Sequence, residues 1–135
     1  MRNIFDEETY KDYQILKDSL VMGADTNILV AKMVFGFYQM NGRWMINSVD
    51  GDYVYLQNRL PEYSTEISDA IKVESICQVF AVEKLRQSWY CELRLKNGGS
   101  IHNSHGTLEM AICRAAMKAS CEIYEVILPE IEKLK

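Results

Sequence analysis

The side chains best suited to chemistry gather near the C-terminus. His102 and His105 form an HxxH pair, Gly106 and Thr107 follow directly, and Arg114 and Lys118 share one helical flank further on. A zinc site wants three or four ligands in firm geometry. The four cysteines, Cys77, Cys91, Cys113 and Cys121, form no CxxC pair and fall in apolar patterns, so no metal site is expected. A Cys and His nucleophilic pair has no third, orienting group that the sequence can place. No catalytic residue and no cofactor are assigned, and the chain is not expected to be an enzyme. The enzymatic alternative would use His102 and His105 as acid and base.

Anion binding is the sharper reading. The turn HNSHGTL delivers Gly106 and Thr107 to a helix start, where unpaired backbone N–H groups and the positive dipole end favour a phosphate. Thr107 can instead serve simply as the helix cap. Arg114, about two turns on, joins such a site if a ligand or second subunit lies across the helix. The expected ligand-binding set is Arg114, Lys118, Thr107, Gly106, His105, Asn103 and Trp89, with Trp89 and Tyr90 as the aromatic groups on which a base could stack.

These residues need elements to hold them. The run EETYKDYQILKDSL after Asp6 has acids in its first turn and reads as a short capped helix, an appendage over residues 1–26. Asp25 or Thr26 caps a second helix, NILVAKMVFG, with Ile28, Val30, Ala31, Val34 and Phe35 mostly in the core and Gly36 as its stop. Asp50-Gly51 signals a hairpin beside the strand formers Tyr53, Val54 and Tyr55. From Tyr63 to Phe80, Ala70, Val73, Cys77 and Phe80 recur at steps of three and four, which predicts an amphipathic helix. Trp89, Cys91, Leu93 and Leu95 alternate with polar partners as a strand, and Asn97-Gly98-Gly99 turns it into a short second one over Ser100 to Asn103.

The last helix is expected from Thr107 or Leu108 to Leu128, with Pro129 breaking or kinking it. One face carries Leu108, Ile112, Ala115, Ala116, Ala119, Ile123 and Val126. Met110, Cys113, Met117, Cys121, Tyr124 and Leu128 form a second apolar stripe, with Arg114, Lys118, Glu122 and Glu125 on the flank between the two. A surface helix needs one buried stripe, so the second must be covered by another helix of the same chain, such as the N-terminal one, or by a partner. The first five stripe residues are therefore candidates for a homo-oligomer interface.

Fifteen basic against nineteen acidic residues give a net charge of -4, with no bulk electrostatic footprint for duplex nucleic acid. The N-terminus lacks the apolar run of a signal peptide, no segment approaches the roughly 20 apolar residues of a membrane span, and the cysteines read as free thiols in a reducing cytosol.

The order ILVAKMVFGF, YSTEISDAIKVESI, WYCELRL and TLEMAICRAAMKA resembles the phage ABA sandwich domain family. Members carry a leading LVAEKVMGW-like helix, a YSTDI segment before a helix, a Trp-bearing strand and a closing AICRAALLA-like helix. The likeness runs from about Asn27 to Ser120, with Ile71 where the family usually has tryptophan. It implies an α+β, layered α/β/α sandwich with a small, mainly antiparallel sheet and a long C-terminal helix, here over residues 27–128 with a tail at 129–135. It also implies a phage or prophage origin, and no established reaction.

With that origin, the expected function is a non-enzymatic counter-defence protein in the host cytoplasm that sequesters a host nucleotide second messenger, as a homo-oligomer. The alternative is an inhibitor or adaptor, such as an anti-CRISPR protein, that grips a host protein through Tyr53 and Tyr55 or the second helical stripe. A structural phage component is the remaining reading.

Overall fold

The computed structural model describes residues 5–47, 53–55, 60–95 and 100–133. Helix α1 spans Glu7–Leu16; the Asp6 carboxylate accepts the Thr9 amide at 2.9 Å, and Glu7 and Glu8 occupy the electropositive first turn. Helix α2 spans Ala24–Met33. Its cap residue is neither Asp25 nor Thr26 but Gly23, which has no side chain to cap with; Gly23 is itself anchored, its N–H donating to the buried Ser64 hydroxyl at 2.9 Å. Thr26 turns its own hydroxyl back onto the Val21 carbonyl. Gly36 ends this segment as expected, with φ of 75°, and the Phe37 amide reaches back to the Ala31 carbonyl at 3.0 Å.

Strands β1 (Tyr38–Met40), β2 (Arg43–Asn47) and β3 (Tyr53–Tyr55) form one antiparallel sheet in that order. The expected β2–β3 hairpin is present in its pairing, Asn47 opposite Tyr53, while Asp50 and Gly51 lie outside the described residues. Strand β1 is an addition. Its turn is Asn41-Gly42 with φ of 54° and 77°, the left-handed pair that a two-residue hairpin loop requires.

The helix expected over Tyr63–Phe80 is much shorter. Helix α3 covers Ile67–Ala70, a 3-10 turn continues over Ile71–Ile76, and Cys77 opens strand β4 (Cys77–Lys84). The physical reason is a register shift between Cys77 and Val79: Cys77 pairs with Leu95, yet Phe80 pairs with Leu93. The bulge adds one residue, so a step of three that looks helical returns to the same side of a strand. Both Cys77 and Phe80 pack against the core.

Strand β5 (Trp89–Leu95) matches its alternation, with Cys91 and Leu93 fully buried, and β6 (Ser100–His105) runs two residues further than expected. The second sheet is β4-β5-β6, again antiparallel. The small sheet of the expected α+β sandwich is thus a pair of three-stranded sheets. Helix α4 spans Leu108–Lys133 and continues through Pro129. The proline has no N–H and so forgoes the helical hydrogen bond to the Glu125 carbonyl.

One face of α4 lies on β5 and β6, and another meets α2 and α3. Its small residues Ala115, Ala116 and Ala119 are all buried, as close packing on a sheet demands, whereas Val126 at the far end is exposed. The second stripe is buried within the same chain. Met110, Cys113 and Met117 are inaccessible, and Tyr124 stacks on Phe5 and on Tyr10, each at 4.7 Å between ring centroids. The five stripe residues are therefore not an interface with a second copy; α1 and α2 take the place that a partner was expected to fill. Tyr13 and Leu20, from the segment read as an appendage, belong to this same core cluster.

Candidate functional site

Helix α1 runs antiparallel to α4. Tyr10 lies against Tyr124, the Gln14 side-chain amide donates to the Cys121 sulfur at 3.4 Å, and the Lys17 carbonyl accepts from Arg114. Beside this seam the two helices leave a crevice of about 340 Å³, with Tyr13, Lys17 and Asp18 on the α1 side and Arg114, Lys118 and Glu122 on the α4 side. Arg114 is fixed in place: Nη1 donates to the Leu20 carbonyl at 3.1 Å and Nη2 to the Lys17 carbonyl at 3.3 Å. These are carbonyls at and beyond the end of α1, the electronegative end of that helix, where a cation is favoured. A guanidinium has five N–H donors, so two bonds leave it able to bind more.

Tyr13 forms part of the floor. Burial first, then the neighbouring Cys121, Asp18 and Glu122, push its hydroxyl up to about 12 against the opposing pull of Arg114. Cys121 is likewise pushed up to about 12, by burial and by its hydrogen bond to Glu125, at 3.3 Å. A thiol so far from ionisation is no nucleophile near neutral pH.

The residues expected to bind ligand divide between two places. Arg114 and Lys118 line the crevice. Thr107 stands at the start of α4, where its hydroxyl accepts the Met110 amide at 3.2 Å, so it acts as the helix cap. Gly106 is exposed beside it. From Leu108 to Arg114 the helix advances about 9 Å. Trp89 is half-buried on β5 with the Lys84 ammonium 5.1 Å from its ring centroid, so one ring face already carries a cation. His105 and Asn103 stand on β6 opposite Trp89 and Cys91, and His102 opposite Glu92. The side chains of these three residues, like those of Tyr53 and Tyr55 on β3, lie outside the described ones. Among the described residues no group of three His, Cys, Asp or Glu side chains could hold a metal ion, and no helix is long and apolar enough to cross a membrane.

Half of the crevice has a signal in sequence, the flank Arg114, Lys118, Glu122 and Glu125. The other half does not, because Tyr13, Lys17 and Asp18 reach it through the antiparallel packing of α1.

The motif residues converge. Tyr63 is buried and stacks on Phe35 at 5.2 Å; the next residue, Ser64, ties down the start of α2, its amide donating to Asn27 Oδ1 at 2.8 Å; and Cys113 donates its S–H to the Tyr63 carbonyl at 3.3 Å. VFGF, YST and AICRAA thus form one joint between α2, the turn before α3, and α4. This is an α+β sandwich with its long closing helix clasped on two faces. The family model of the phage ABA sandwich domain matches residues 28–117, and the chain belongs to that family. No curated protein and no solved structure matches it. The matched segment includes Arg114 and Met117 of the crevice, whereas α1, Lys118, Glu122 and Glu125 lie outside it.

Proposed function

We propose that this phage protein is a non-enzymatic accessory, acting in the host cytoplasm against host defence, that binds and sequesters a nucleotide signal in the crevice between α1 and α4. The observation that carries this reading is the convergence of Lys17, Arg114 and Lys118 on one opening of about 340 Å³, within the size range of small-molecule sites. The three cations stand there beside the carboxylates of Asp18, Glu122 and Glu125, on a chain of net charge -4.

The test mixes purified protein with cyclic dinucleotides, cyclic trinucleotides and ADP-ribose derivatives, separates the protein, heats it and chromatographs both fractions. Depletion followed by intact return on heating is the expected result. Lys118→Ala, which removes an exposed cation, should weaken uptake by about ten-fold or more. Altered ligand would mean turnover. No depletion of any compound would end the nucleotide reading and leave a protein-binding adaptor, for which the exposed apolar side chains Ile15, Val21 and Met22 around the end of α1 supply a contact surface.

A further inference from the structure

The charges lining the crevice are ordered along α4. On α4 itself Arg114 and Lys118 come first and Glu122 and Glu125 follow on the same flank, while the segment at the end of α1 adds one charge of each sign, Lys17 and Asp18. Arg114 and Glu122 are about 12 Å apart along the helix axis, close to the length of one extended nucleotide unit. The volume, about 340 Å³, lies at the small end of ligand sites, which run from about 300 to 1,000 Å³. Lys118 and Glu122 are both exposed and neither has an ion-pair partner among the described residues.

We infer that the crevice takes a single nucleotide unit lengthwise, its phosphate at the Arg114–Lys118 end and an amine-bearing base at the Glu122–Glu125 end. This rests on the nucleotide-binding reading of the same crevice and adds a direction and a base preference to it. A carboxylate only accepts hydrogen bonds. Adenine and cytosine present an exocyclic NH₂ that donates to it; met from the edge away from the ring N1 or N3, hypoxanthine and uracil present only a carbonyl oxygen there, and two acceptors facing each other repel. A ligand that is anionic throughout, such as pyrophosphate, would set its far end against the same carboxylates. Arg114 is preorganised for the phosphate because the Leu20 and Lys17 carbonyls already hold it. Glu125 is engaged with Cys121, which leaves Glu122 as the reader of the base.

Calorimetric titration of the full chain with AMP, IMP, CMP and UMP tests this, because each pair differs at the amine or carbonyl position. AMP should bind at least ten-fold more tightly than IMP, and CMP than UMP. Glu122→Gln, which can donate as well as accept, should reduce both ratios to about two-fold or less at unchanged thermal stability. Equal affinity for all four nucleotides would overturn the two-ended arrangement and leave nucleotide binding standing. A preference that survives Glu122→Gln would overturn the assignment of Glu122. No binding of these four, nor of the cyclic and ADP-ribose compounds, would overturn both readings together.

Discussion

Arg114 belongs to two arrangements at once. Its guanidinium lines the crevice, and it also hydrogen-bonds two backbone carbonyls around the end of α1. Arg114→Ala should therefore lower stability by about 1–3 kcal/mol, the scale of hydrogen bonds to a charged donor, and Arg114→Lys should recover little of it, since a lysine lacks the planar fork that reaches both carbonyls. Lys118→Ala, exposed and unpaired among the described residues, should stay within about 0.5 kcal/mol. Thermal unfolding of the three variants distinguishes these cases; equal melting temperatures for Arg114→Ala and Lys118→Ala would show that water replaces the carbonyl bonds. For this reason Lys118→Ala reports on ligand uptake more cleanly than Arg114→Ala. The sequence places Arg114 on a polar flank of α4, but nothing local in it points to the carbonyls of Lys17 and Leu20, more than ninety residues earlier.

Elements with a purely local cause were legible. The acids after Asp6, the alternation around Cys91 and Leu93, and the small face of α4 each follow from spacing alone. The β1–β2 hairpin went unread although it has a local signal in Asn41-Gly42, one that the apolar periodicity does not carry. Gly42 has φ of 77° and open space where a Cβ would stand, so Gly42→Ala should cost about 1 kcal/mol from backbone conformation alone. Chemical denaturation with an unchanged slope would measure it, and a neutral result would mean that the turn relaxes. The segment after Ala70 was not legible in the same way. A bulge at Cys77 and Val79 gives a strand the spacing of a helix, and the pairing with β5 that settles the matter is a tertiary interaction.

At the scale of the molecule, burial controls the pH response. Burial pushes the thiols of Cys91, Cys113 and Cys121 up to about 12 from an ordinary value of 9.0, and the hydroxyl of Tyr13 to about 12 from 10.0. The unfolded chain releases these protons first while the folded chain retains them, so stability should fall as pH rises from about 9 towards 12. On the acid side, burial opposes ionisation of Asp6 and Asp69, but hydrogen bonds from Thr9 to Asp6, and from Lys72 and the Glu62 amide to Asp69, hold both carboxyls below 3.8. Stability should therefore also fall as pH drops below about 4. Melting temperatures measured from pH 3 to 11 check both limbs; a flat alkaline limb would mean that the thiols and Tyr13 titrate normally in the fold.

The family, the α+β class, the apolar faces of α4 and its charged flank were determined by sequence alone, because residue identity and helical or strand spacing specify which side chains share a face. What covers the second face of α4 was decided by tertiary structure. Two stripes on one helix are equally satisfied by an internal helix or a second copy, and only the path of the chain from α1 through Leu20 to Ser64 makes the cover intramolecular. The same path brings Tyr13 and Lys17 to Arg114 and Lys118, so the crevice exists because two segments nearly a hundred residues apart pack antiparallel.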